Sequence, residues 1–94
     1  MPDKFAVLRK KYLSSFPKKL ERIADAWKKQ ETETLHDLIH KLAGSSGGYG
    51  FDEISRQCKN ILLQLHKSKN SSNKDLDEAI ETLLSLLLNA QQKA

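Results

Sequence analysis

From Phe5 to Trp27 the apolar residues Phe5, Leu8, Tyr12, Phe16, Leu20, Ile23 and Trp27 follow one another at intervals of three or four. A helix turning about 100° per residue keeps such a series on one side. The interval returns in Leu35, Leu38, Ile39 and Leu42, in Ile54, Cys58, Ile61 and Leu65, and in Leu76, Ile80, Leu83, Leu84 and Leu87. No stretch alternates apolar and polar residues as a half-buried strand would. Helices with one apolar face each must bury those faces against one another. The pattern therefore predicts an all-α protein, an up-and-down antiparallel four-helix bundle with a short extra N-terminal helix.

Breaks in the pattern set the expected boundaries. Ser14, Ser15 and Pro17 interrupt the first stripe. Proline is tolerated in the first turn of a helix and not in its interior. A first helix to about Leu13 and a second from about Phe16 are expected, packed in one register along one core. Gln30 to Thr34 is a polar junction, and Thr32 or Thr34 has the side chain to cap a third helix. That helix should fray between Gly47 and Gly50, where glycine lets the chain leave. Phe51 or Asp52 opens the fourth, with Asp52 as its expected N-cap. Lys67 to Lys74 has no apolar residue and reads as a loop. A last helix follows from about Asn73 to Ala90.

The chain of 94 residues suits one domain, residues 1–94, near the lower end of what folds without staples. Hydrophobic content of 38% with 30% charged residues fits a soluble helical domain rather than a disordered one. One cysteine, Cys58, cannot form an intramolecular disulfide and falls on an apolar helix face, where an inert buried thiol is expected. Met1 to Lys11 contains no apolar block of signal-peptide length. The most apolar run, Leu83 to Leu88, is far shorter than the ~20 residues that span a bilayer. A cytoplasmic protein is expected. The net charge of +4 is spread along the whole chain rather than gathered into a patch. Solvated helix faces account for it better than a nucleic-acid surface, and a mildly basic exterior favours an acidic protein partner.

Two of the three histidines and all four glycines fall between His36 and Gly50. Projected as a helix, Leu35, Leu38, Ile39, Leu42, Ser45, Ser46 and Tyr49 form an inward seam, and His40 points away from it. Gly44 lies one turn beyond His40 on the same outer face. A glycine inside a helix costs roughly 1 kcal/mol relative to alanine, so a partner that must come close is a natural reason for it.

Three chemistries compete for this stretch. His36-Asp37-Leu38-Ile39-His40 places two histidines at metal-ligand spacing, but aspartate stands where the zinc-protease pattern has its glutamate base. A third ligand would have to be His66, from another helix. His36-Asp37-Leu38 resembles the start of a histidine-kinase phosphoacceptor box, without the proline kink or glycine-rich nucleotide-binding sequence that should accompany it. The run from His40 to Phe51 resembles a third pattern. It has a histidine, leucine two later (Leu42), glycine four later (Gly44), small residues next, and Gly50-Phe51 near ten later. That is the signature of histidine-containing phosphotransfer (HPt) domains, and the order of helices resembles that family over nearly all the chain.

The resemblance implies a phosphohistidine carrier in a multistep His-Asp relay, with His40 as phosphoacceptor and no independent catalytic machinery. The implied partner is the receiver domain of a response regulator or of a hybrid histidine kinase. The receiver would bring the acidic pocket and Mg²⁺, so no cofactor or metal of the chain's own is expected. Asp37, Lys41, Ala43, Gly44 and Gly47 are the expected partner-facing residues, and a monomer suffices. Asp37 either hydrogen-bonds or repels the imidazole. Many members of the family carry a lysine three after the histidine, where this chain has Ala43. Lys41 and Lys59 are the candidates to replace its charge. The departure keeps open an alternative, an adaptor that binds a receiver or another regulator without carrying phosphate.

Overall fold

The computed structural model describes residues 4–67 and 73–92. They form helices α1 (Lys4–Ser14), α2 (Phe16–Lys28), α3 (Thr32–Gly48), α4 (Asp52–Lys67) and α5 (Asn73–Gln92), with no strand among the described residues. In the bundle α2 packs on α3 and α5, and α4 packs on α3 and α5, so the four helices close a ring around one core. No helix of the described residues is long and apolar enough to cross a membrane.

The core takes one stripe from each helix: Phe16 and Ile23, then Leu35, Ile39 and Leu42, then Ile54, Cys58 and Ile61, then Ile80, Leu83 and Leu87. Each such aliphatic or aromatic side chain contributes about 1.5–3 kcal/mol when fully buried, enough to outweigh the weak intrinsic propensity of single helices. Two polar ties fix the register at the edges. The Trp27 indole donates to Asp77 Oδ1 at 2.9 Å, and the Gln57 amide donates to the Ala79 carbonyl at 2.8 Å.

Between α1 and α2 stands a single residue, Ser15, itself with right-handed helical dihedrals. Pro17 has no N–H to donate back to Leu13, and the chain bends there. The Ser15 N–H and hydroxyl both donate to the Tyr12 carbonyl, at 3.0 and 2.5 Å, which satisfies the end of α1. α1 overhangs the bundle: the molecule is 53 Å long and 19 Å across, against roughly 30 Å for the longest helix. Overhang overturns one expectation. Phe5 and Leu8 continue the apolar stripe but are 47% and 50% exposed, because the core ends before they are reached.

α3 ends as the glycines predict. Gly50 takes φ of 84°, the Phe51 N–H donates to the Ser46 carbonyl at 2.9 Å, and the Gly50 N–H donates to the Gly47 carbonyl at 3.2 Å. This pair of bonds satisfies the carbonyls of the last turn and starts α4 within two residues. The two capping expectations fail. Glu31, not a threonine, precedes α3 and makes no side-chain cap, while Asp52 is the first residue inside α4. There its carboxylate favours the positive end of the helix dipole rather than closing it by a hydrogen bond. The loop expected over Lys67 to Lys74 lies largely outside the described residues.

Candidate functional site

The rotation of α3 is set by what it buries. Leu35, Ile39, Leu42 and Ser46 are almost wholly shielded, and the Ser46 hydroxyl is absorbed by the Leu42 carbonyl one turn back at 2.6 Å. His40 stands opposite this seam, exposed. Ser45 points toward α1, where its hydroxyl meets that of Tyr12 at 2.5 Å, and Tyr49 stacks on the Tyr12 ring at 4.4 Å. Burial raises the Tyr12 pKa, with the Ser45 hydrogen bond pulling the other way. Both serines serve packing.

The two central glycines differ. A Cβ built on Gly44 meets nothing within 4 Å, so no neighbour in the fold requires glycine there. A Cβ on Gly47 would lie 3.2 Å from Ser55 Oγ, tighter than ordinary contact. Gly47 therefore serves the close approach of α4. Ala43 turns to the same side: it is only 7% exposed, and its carbonyl accepts the Ser55 hydroxyl at 2.8 Å. Expected on the partner-facing surface, Ala43 instead belongs mostly to the α3/α4 seam. The sequence gives no sign of this role for Ser55, because a serine in an apolar stripe carries no signal of its own.

Lys41 and Asp37 are exposed on either side of His40. Asp37 Oδ1 approaches His36 Nδ1 at 3.8 Å, and the His36 ring lies nearly parallel to that of His40, 12° off with centroids 6.1 Å apart. The carboxylate expected beside His40 thus faces His36. At one end α4 meets α3 through Ser55 and Ala43; at the other, His66 and Leu65 share a cleft with His36 and Asp37. The helices are antiparallel, each advancing about 1.5 Å per residue, and this register brings exposed Lys59 level with His40.

No group of three or more His, Cys, Asp or Glu side chains able to hold a metal ion occurs among the described residues. Cys58 is fully buried beneath the α3/α4 seam, and burial pushes its thiol up to about 12. The site is thus an exposed imidazole on a helical bundle, with the helix bare one turn on. A family model, the Hpt domain, matches residues 7–93, nearly the whole chain, and the chain belongs to that family. Hpt domains take part in histidine phosphotransfer relays as carriers rather than catalysts, and they interact with receiver domains or kinases. No curated protein and no solved structure matches the chain.

Proposed function

We propose that this protein carries a phosphoryl group on His40 between the receiver aspartates of a phosphorelay. The vacancy at Gly44 carries the reading. A helical glycine that nothing in the fold requires, one turn from an exposed histidine, leaves the surface low where a partner's acceptor pocket must close.

The chemistry needs a nucleophile partly neutral near pH 7, and imidazole, titrating near 6.5 as a side-chain type, meets that need. The Nε2 lone pair attacks phosphorus of the receiver's phosphoaspartate. The N–P bond forms as the bond from phosphorus to the aspartate oxygen breaks, and the carboxylate leaves with the electron pair. Onward transfer is the same exchange in reverse. Charge on the transferring group would be met by cations of the carrier and by the Mg²⁺ a receiver would bring; positioning and electrostatics supply most of the catalysis in such transfers. Lys59, level with His40, and Lys41, the next residue, are the cations in reach. The short side chain at Ala43 favours a second reading, an adaptor that docks a receiver without exchanging phosphate.

Incubation with a receiver domain loaded by acetyl phosphate separates the two. Label that is acid-labile and base-stable on wild type, and absent from His40→Gln, is the expected result. Label retained by His40→Gln would move the site to His36; no label on wild type, with binding intact, would leave the adaptor.

A further inference from the structure

On the flank of α3 away from Ser55, between α2 and α3, lies a cavity of about 350 Å³. Lys19, Arg22 and Lys41 line it above a floor of Ile23 and Leu42, with Tyr12 at one end. No carboxylate lines it among the described residues. Among the described residues none of the three cations has an ion-pair partner: Asp25 is taken by Lys29 at 3.1 Å, and Asp37 faces His36. Lys19 is instead held by a neutral hydroxyl, donating to Ser15 Oγ at 2.7 Å, with its ammonium 4.9 Å from the Tyr12 ring centroid. Burial, and then the neighbouring Arg22, lower the Lys19 pKa, as expected of a cation held among like charges.

Like charges gathered over an apolar floor repel one another, and the fold does nothing to neutralise them. Lys41 joins this cluster directly to His40. We propose that the groove receives acidic side chains of the receiver domain that exchanges phosphoryl with His40. The inference rests on the carrier reading and adds where the partner is held. Carboxylates seated between α2 and α3 cancel the repulsion, and their position beside Lys41 swings the acceptor aspartate over His40. Charge complementarity of this kind sets register and encounter rate more than raw affinity.

The probes are receiver domains of the source organism's response regulators, with His40→Gln protein as the binding partner so that no transfer intervenes. Binding is measured by calorimetry at low and high salt. Arg22→Glu is expected to weaken the tightest receiver about tenfold at low salt and far less at high salt. Lys19→Gln should weaken it to a smaller extent. Lys18→Glu, the same change of charge at a residue of α2 that does not line the groove, should weaken binding far less. In transfer assays with intact His40, Arg22→Glu should raise the half-saturating receiver concentration and leave the saturated rate near wild type. Equal losses from Lys18→Glu and Arg22→Glu, or no loss from either, would overturn the groove and leave the carrier standing. Groove variants that weaken a receiver which never labels His40 would keep the groove and remove the carrier. If no receiver binds at all, both fall.

Discussion

On its α4 flank, α3 brings Ala43 and Gly47 so close to the neighbouring helix that the Ser55 hydroxyl reaches a backbone carbonyl at 2.8 Å. On its α2 flank, beside Lys41 and beyond the Ser45–Tyr12 contact, a cavity of about 350 Å³ stays open. His40 rides the crest between the two. The difference shows that the small residues following the histidine do not share one purpose. Ala43 and Ser46 are small because α3 is packed there, and Gly47, itself exposed, clears the Ser55 side chain; Gly44 is bare although nothing is packed against it. The closed flank holds the helix still, and the open flank is free to meet a partner.

The largest effect to test lies behind the closed flank. Cys58 is fully buried, with its thiol raised from the ordinary value of 9.0 to about 12. Since the thiolate is the reactive form, a disulfide reagent at pH 8 should modify the native protein slower by a factor on the order of 100 or more than the guanidinium-unfolded chain. The same shift has a pH signature. Between 9.0 and about 12 the unfolded thiol has lost its proton while the folded one keeps it. The stability this contributes is whole below pH 9 and falls as pH rises through that window. Rapid native labelling would mean that the seam opens readily and is not a closed flank at all.

Next in size is Gly47→Leu. A side chain there must displace Ser55, whose Oγ lies 3.2 Å from the position of the first added carbon. Overpacking of this kind costs about 1–3 kcal/mol, readable as a lower urea midpoint with unchanged slope. No loss would mean that α4 can yield, and that the glycine is not there for packing.

Much of this contrast lies beyond a reading of the sequence, for a physical reason. Helical periodicity locates the buried seam of α3, so it also locates what points away from it: the exposure of His40 and the place of Gly44 were legible. Periodicity cannot say which neighbour covers which flank, because that depends on how the helices are arranged around the core. The sequence therefore places Ala43 with His40 on the outer surface, where the structure turns it into the seam, and leaves Lys19 and Arg22 indistinguishable from other solvated cations. Phe5 and Leu8 failed for a related reason. Their spacing is helical, but spacing does not reveal that the bundle stops at Leu13.

A smaller effect concerns the charge on the crest. Lys59→Ala removes the cation that the antiparallel register places level with His40, and transfer from a phosphorylated receiver should slow roughly three- to tenfold, less at high salt. Adding Ala43→Lys to that variant should recover part of the loss. Because Ala43 is packed in the seam, the recovery should be partial and come with a lowered urea midpoint from overpacking, the lysine stem running out of the seam to bring its ammonium toward the imidazole. Recovery would tie the two positions to one role; a full wild-type rate in Lys59→Ala would hand that role to Lys41 or to the receiver alone.

The smallest change bears most directly on the open surface. Replacing Gly44 by alanine adds a methyl group that meets nothing within 4 Å and removes the most flexible residue from a helix interior. The variant should gain about 0.5–1 kcal/mol of stability, seen as a raised urea midpoint. Gly47→Ala, the same exchange one turn along, should gain less or lose, because its methyl meets Ser55. If alanine stabilises the fold at residue 44, glycine there is held against the interest of folding, and a longer side chain should show why. Gly44→Gln should keep wild-type helicity by far-UV circular dichroism and slow phosphotransfer at limiting receiver, since the added chain stands where the acceptor pocket would close. Equal transfer by Gly44→Gln and wild type would mean that the receiver approaches His40 from one flank rather than over the crest, and the open α2 side would be the route left for it.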